Sequence, residues 1–185
     1  MKKLFSILFI SLFIFSCDED SNPVGPENEP DGYVFLWGSY YNIEGTTELD
    51  TNDDGNDNYF NVDCQNLVGQ SIPSEIGQLV NLRSIDLTYC GLEGEIPSEI
   101  ENLTNLTRLE LNNNQLTGEI PVEIGNITNL GNLYLNNNEL TGQIPSVICN
   151  LGFIYTNVGN NKLCPPYPSC ISQSHINSQD TSDCP

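Results

Sequence analysis

Apolar residues return along the middle of the chain with a fixed period. The pair Ile-Pro stands at Ile72-Pro73, Ile96-Pro97, Ile120-Pro121 and Ile144-Pro145, 24 residues apart each time. Around it the same frame recurs. Leu106, Leu109, Leu111, Asn114, Leu116, Gly118 and Ile120 are matched by Leu130, Leu133, Leu135, Asn138, Leu140, Gly142 and Ile144. The preceding copy reads Leu82, Ile85, Leu87, Cys90, Leu92, Gly94 and Ile96. The alternation at Leu109 and Leu111 predicts a short strand, those side chains inward and the residues between them outward. Asn114 and Asn138 fall where the chain leaves the strand. An inward amide there can bond backbone groups of adjacent turns as a ladder. Cys90 takes that place in its own copy. Pro fixes the chain as it enters a short helical turn, and Ile124, Ile127 and Leu130 complete the ring of core contacts. One unit cannot hide its own apolar side, so the copies must stack, with their strands paired in parallel. The end copies are looser. Phe60 and Val62 are the expected inward pair of the first, with Leu67 following, and Thr156 and Val158 that of the last, with Asn161 at its turn.

This L-x-G-x-I-P frame resembles the plant-type subclass of leucine-rich repeats, shared by receptor-kinase ectodomains and polygalacturonase inhibitors of plants and by many bacterial surface proteins. The resemblance covers about residues 60–163. It implies an α/β solenoid: a short leucine-rich repeat array with a parallel β-sheet on the concave face, capped at both ends. Residues 32–59 are the expected N-terminal cap, with Tyr33, Phe35, Trp37, Tyr40 and Tyr41 as aromatic cover. Residues 164–185 are the expected C-terminal cap and resemble the Cys-paired caps of such proteins.

Ahead of the caps, Lys2 and Lys3 precede an almost wholly apolar run from Leu4 to Phe15. The run is too short to span a bilayer and fits the apolar core of a cleavable export signal, residues 1–16. Ile14-Phe15-Ser16-Cys17 resembles the lipobox of bacterial lipoproteins, with Phe15 bulkier than the residue most common there. The resemblance implies acylation of Cys17, hence a membrane anchor without a transmembrane helix. Residues 17–31 hold Pro, Gly and acids with one aliphatic residue, Val24, and read as an acidic tether without a core of its own. Asp18-Glu19-Asp20 resembles the export tag of some Bacteroidota-like lipoproteins. It implies export to the outer membrane and display at the cell surface.

Composition narrows the partners. The chain has 25 Asp+Glu against 5 Lys+Arg, a formal charge of -20. Nucleic acid is excluded as a charge-driven partner, since such binding needs clustered bases. His175 is the sole His, so no Ser-His-Asp or Cys-His site has a second support and no enzyme is expected. With Cys17 lipidated, six Cys remain, and exported proteins form disulfides. Cys149, Cys164, Cys170 and Cys184 are expected to pair among themselves. Cys64 and Cys90, on neighbouring turns, either pair or leave Cys90 a buried thiol in the ladder place. Calcium is the one cofactor the residues suggest. Asp50, Asn52 and Asp54 with Gly55 follow the first, third, fifth and sixth places of a calcium loop, and Asn56 adds another oxygen. The stretch resembles EF-hand, dockerin and thrombospondin-type loops, but Asn61 stands where a bidentate Glu closes the shell. The alternative is a solvated acidic insertion.

What remains is a binding face. The outward strand positions Arg83, Asp86, Tyr89, Arg108, Glu110, Asn112, Asn132, Tyr134 and Asn136 are expected to line the concave side, where solenoids recognise ligands. Arg83 and Arg108 are read as one column. The alternative is that they serve only to pair with Asp86 and Glu110. Tyr rings suit protein interfaces, and an Asn-rich face with Tyr suits sugars. The expectations are therefore a protein partner at the cell surface or, from another class, a glycan-binding or structural envelope role. Enzyme inhibition rests on analogy with the plant inhibitors alone.

Overall fold

The computed structural model describes residues 32–50, 60–62, 64–152 and 155–185. The expected export signal, Cys17, the acidic tether, and Asn52, Asp54 and Asn56 of the calcium loop lie outside them.

The chain opens with an antiparallel hairpin, β1 (Tyr33–Leu36) and β2 (Ser39–Asn42). Its two-residue turn, Trp37 and Gly38, has φ of 48° and 83°, the left-handed pair that matches the twist of the flanking strands. Val34, Leu36 and Tyr41 are buried in the common core. Trp37 Nε1 donates to the Ser71 carbonyl at 2.9 Å, joining the hairpin to the segment before the first Ile-Pro.

The coil then lays six short strands side by side. The strands are β3 (Glu48–Asp50), β4 (Phe60–Asn61), β5 (Ser84–Asp86), then β7 (Arg108–Glu110), β9 (Asn132–Tyr134) and β10 (Tyr155–Asn157). Together they form one six-stranded sheet in the order β10-β9-β7-β5-β3-β4, all pairs parallel. Ile85, Leu109 and Leu133 are in register and buried. A second parallel strip lies after the ladder residues. It pairs β6 (Glu93–Gly94) with β8 (Gln115–Leu116) and continues through bridges Glu119 to Thr141 and Gln143 to Cys164. Each turn is thus hydrogen-bonded to the next along two lines.

One expectation needs correction. The place beside β5 belongs to β3, with Leu49 opposite Ile85, and not to Phe60 and Val62; β4 pairs on the far side of β3. A strand assigned to the N-terminal cap therefore joins the main sheet, and the insertion after Asp50 hides the break in the period. The short helical turns expected after each Pro do form, at Ser74–Gln78, Ser98–Asn102, Val122–Asn126 and Ser146–Asn150, and they are 3-10. Five residues leave little room for i to i−4 pairs, and the chain closes them one residue tighter: Leu79 N donates to Ile76 O at 3.0 Å. Their buried Ile76, Ile100, Ile124 and Ile148 form one row. The only α-helix among the described residues is α1 (Gln173–Asn177).

The Asn ladder forms as expected. Asn138 Nδ2 donates to the carbonyls of Leu111 (2.9 Å) and Leu135 (3.0 Å), and its Oδ1 accepts from Leu116 N at 3.0 Å. Asn114 and Asn161 repeat the arrangement one turn to either side. Cys90, the odd member, is bonded to Cys64. At the other end Cys149 pairs with Cys170 and Cys164 with Cys184, so the four C-terminal Cys do pair among themselves. Gln179 Nε2 donates to Val158 O at 2.9 Å, and Tyr167 Oη donates to Leu163 O at 2.8 Å, which holds α1 and its flanks against the last turn.

Candidate functional site

Parallel pairing fixes which side chains stand side by side on the outer face of the six-stranded sheet. Register places Ser84, Arg108, Asn132 and Tyr155 in one row and Asp86, Glu110, Tyr134 and Asn157 in the next. Arg83 precedes β5 by one residue and Ser84 stands opposite Arg108, so the two arginines do not share a column.

Arg108 lies across two strands. Its Nε donates to Glu110 Oε1 at 2.9 Å, and its Nη2 is 3.7 Å from Asp86 Oδ2. Asp86 and Glu110 are direct neighbours of like charge, an arrangement that costs stability unless a cation offsets it. Arg108 supplies that cation, so the pairing alternative holds for Arg108. Arg83 is exposed and makes no salt bridge among the described residues. Past the strand ends, Thr88 Oγ1 donates to Asn112 Oδ1 at 3.3 Å. Asn132 Oδ1 and Asn136 Oδ1 are shielded from solvent and have no hydrogen-bond partner among the described residues. Two aromatic rings stand clear of the surface: Tyr89, 75% exposed, and Tyr155, 61% exposed. Tyr134 is half-buried between them in sequence.

All nine expected face residues therefore lie on or just beyond β5, β7 and β9. Tyr155 was missed. The last copy is one residue short, with Asn161 following Asn138 by 23 residues, so Tyr155 joins the row of Asn132 although a strict 24-residue count puts it elsewhere. Of the calcium candidates only Asp50 lies among the described residues, at the end of β3. Among the described residues no group of three or more His, Cys, Asp and Glu could hold a metal ion. Among them too, no helix is long and apolar enough to cross a membrane. Glu139 beside Lys162 (2.9 Å) raises the Lys pKa, and the backbone N–H of Ser182 lowers that of Asp180.

A parallel sheet, one 3-10 turn per copy and an inward Asn ladder make a solenoid similar to those of leucine-rich-repeat proteins. Residues 81–103, 105–127 and 129–151 each match the Leucine Rich Repeat family. No curated protein sequence matches the chain. Solved plant ectodomains are similar to it. A chain of the BIR3–SERK2 complex from Arabidopsis thaliana is 34% identical, over 57% of this chain and 57% of that one, with a TM-score of 0.54. The BIR2 ectodomain from Arabidopsis thaliana is 34% identical over 54% and 53%, with a TM-score of 0.52. The plant peptide hormone receptor RGFR1 in complex with RGF2 is 43% identical over 57% of this chain and 16% of the receptor, with a TM-score of 0.51. The chain thus spans little more than half of two of these proteins and a small part of the third.

Proposed function

We propose that the protein is a non-catalytic interaction module that binds a protein partner on the outer face of its six-stranded sheet, the concave side of the solenoid. One observation carries the reading. The sheet places a contiguous, mostly uncharged polar surface with exposed Tyr89 and Tyr155 on a chain of charge -20. Exposed aromatic side chains on a rigid scaffold are the usual anchors of protein interfaces. Similar ectodomains support it: one was solved with RGF2, another as the BIR3–SERK2 complex. The hairpin and the Cys-stapled C-terminal segment serve as the caps that a stacked array needs. Lipid on Cys17 would hold the module at the outer membrane surface, with the acidic tether as a spacer.

Affinity capture from cell-envelope extract tests the reading, using the whole protein beside a variant with Arg83, Tyr89, Arg108 and Tyr134 all changed to Ala. A defined protein retained by the first and lost by the second is the expected result. Equal capture by both, or saturable binding to purified glycans with no protein retained, would overturn it.

A further inference from the structure

Away from the sheet, a groove of about 760 Å³ crosses three turns between the second parallel strip and the row of 3-10 turns. The 24-residue period builds it. Ile72 and Ile96, each 4% exposed, set its floor together with half-buried Pro73, Pro97 and Pro121. Its rim is acidic: Glu95 and Glu119 are exposed and Glu99 is half-buried. One device lays down the two exposed carboxylates. Glu95 passes over Gly118 of the next turn, its Cγ 2.7 Å from where a Cβ would sit, and Glu119 passes over Gly142 at the same distance. A Cβ there would displace the stem, so each glycine makes room for the Glu of the turn before.

Among the described residues no cation serves this rim. The chain has 5 Lys+Arg. Arg108 is paired with Asp86 and Glu110, and Lys162 with Glu139. Arg83 stands just ahead of β5 at the sheet, and Lys2 and Lys3 belong to the expected export signal. Glu95, Glu99 and Glu119 make no salt bridge among the described residues. An apolar floor beneath unpaired carboxylates suits a long basic side chain, whose methylene stem lies on apolar surface while its head reaches the charge. Adjacent turns lie roughly 5 Å apart, and alternate residues of an extended segment roughly 7 Å apart. Two such side chains can therefore reach Glu95 and Glu119 together.

We propose that this flank is a second docking surface, separate from the sheet face, and that it takes an extended Lys- or Arg-rich segment of a protein partner. The stems of two basic side chains rest on Ile72, Ile96 and the neighbouring prolines, and their heads pair with Glu95 and Glu119. The net charge of -20 draws such a segment in and repels an acidic one.

Fluorescence anisotropy of labelled octalysine with the whole protein, at physiological salt and pH 6, is the test; amines and carboxylates are then all charged. Saturable binding is expected. Glu95→Gln/Glu119→Gln should weaken it at least tenfold and melt no lower than the parent, since Gln keeps the stem over each glycine. Glu44→Gln/Asp183→Asn removes the same charge at exposed sites outside the groove and should weaken it less than twofold. An octapeptide of 2,4-diaminobutyrate, with as many amines on stems two methylenes shorter, should bind at least fivefold more weakly. Equal weakening by the two charge variants, or equal binding of the two peptides, would overturn the inference, because net charge alone would then hold the peptide. No saturable binding would overturn it too. Binding lost on Tyr89→Ala/Tyr134→Ala and kept by Glu95→Gln/Glu119→Gln would move the basic segment to the sheet face. Calcium that binds alone, displaces octalysine and is lost with Glu95→Gln/Glu119→Gln would replace the segment with a metal ion. The sheet-face reading stands or falls by its own capture experiment and is untouched by the flank variants.

Discussion

Replacing Asn138 with Ala removes three hydrogen bonds at once from a side chain that is 9% exposed. Their losses are unequal. Leu111 O still accepts from Asn114 Nδ2, and Leu135 O from Asn161 Nδ2. Leu116 N–H has Asn138 Oδ1 as its partner and is left bare inside the core. An orphaned buried donor costs about 1–3 kcal/mol and each neutral bond about 1 kcal/mol net. The sum is about 3–5 kcal/mol, a large part of the roughly 5–15 kcal/mol of a typical domain. Urea unfolding followed by circular dichroism at pH 7 reads it directly, and the melting temperature should fall by about 10 °C. Asn138→Asp sharpens the test. A carboxylate can accept from Leu116 N–H, but its second oxygen faces two carbonyls. The fold therefore holds a proton there and lifts the Asp pKa above its unfolded value. With the folded pKa raised, that variant should be most stable below about pH 4 and lose stability as pH climbs through the folded pKa. Asn112→Ala, which gives up one hydrogen bond from Thr88 Oγ1 at a half-buried site, is the control and should cost less than about 1 kcal/mol. A cost below about 1 kcal/mol for Asn138→Ala, or no pH dependence for Asn138→Asp, would refute the ladder as a stabilising element.

Other expectations follow from the same packing. Cys64→Ala/Cys90→Ala opens a bridge across 26 residues and should cost about 3.5 kcal/mol on the chain-entropy relation, measured by urea unfolding; a loss under about 1 kcal/mol would count against it. Gly77→Ala would set a methyl 2.6 Å from Glu99 O and push the 3-10 turns Ser74–Gln78 and Ser98–Asn102 apart, lowering stability by about 1–3 kcal/mol in the same assay. Burial raises the pKa of the Tyr41 phenol. Its folded pKa therefore exceeds the unfolded value near 10, and stability should fall as pH rises above about 10. Tyr41→Phe should flatten that alkaline decline, and an unchanged profile would show that Tyr41 is not its source.

How much of this was legible beforehand follows from what repeats and what does not. The Ile-Pro frame located β5, β7 and β9, the ladder Asn and the row of Ile in the 3-10 turns, because each depends on residues within one turn and its neighbours. Leu49 was missed because its pairing with Ile85 spans the insertion after Asp50, and no local pattern counts across an insertion. Tyr155 was left off the face although the expected inward pair of the last copy, Thr156 and Val158, already turned it outward. Tyr89 was picked for its ring, yet the left-handed backbone that it shares with Asn113, Asn137 and Asn160 emerges only when four turns are stacked. The arginines looked equivalent in sequence. A single step of register separates one locked over two carboxylates from one that makes no salt bridge among the described residues.

The three disulfides sit in the first and last turns, and the turns between rely on amides and packing. A one-dimensional stack ordinarily frays from its ends, where each unit has a single neighbour. Here the ends are crimped. Spontaneous opening is pushed toward the centre of the coil, around β7 and β9, where amide exchange should be fastest relative to an unstapled array. The stiff ends would then hold a compliant middle, like a spring clamped at both tips, and that middle is the stretch of sheet on which the proposed partner would dock.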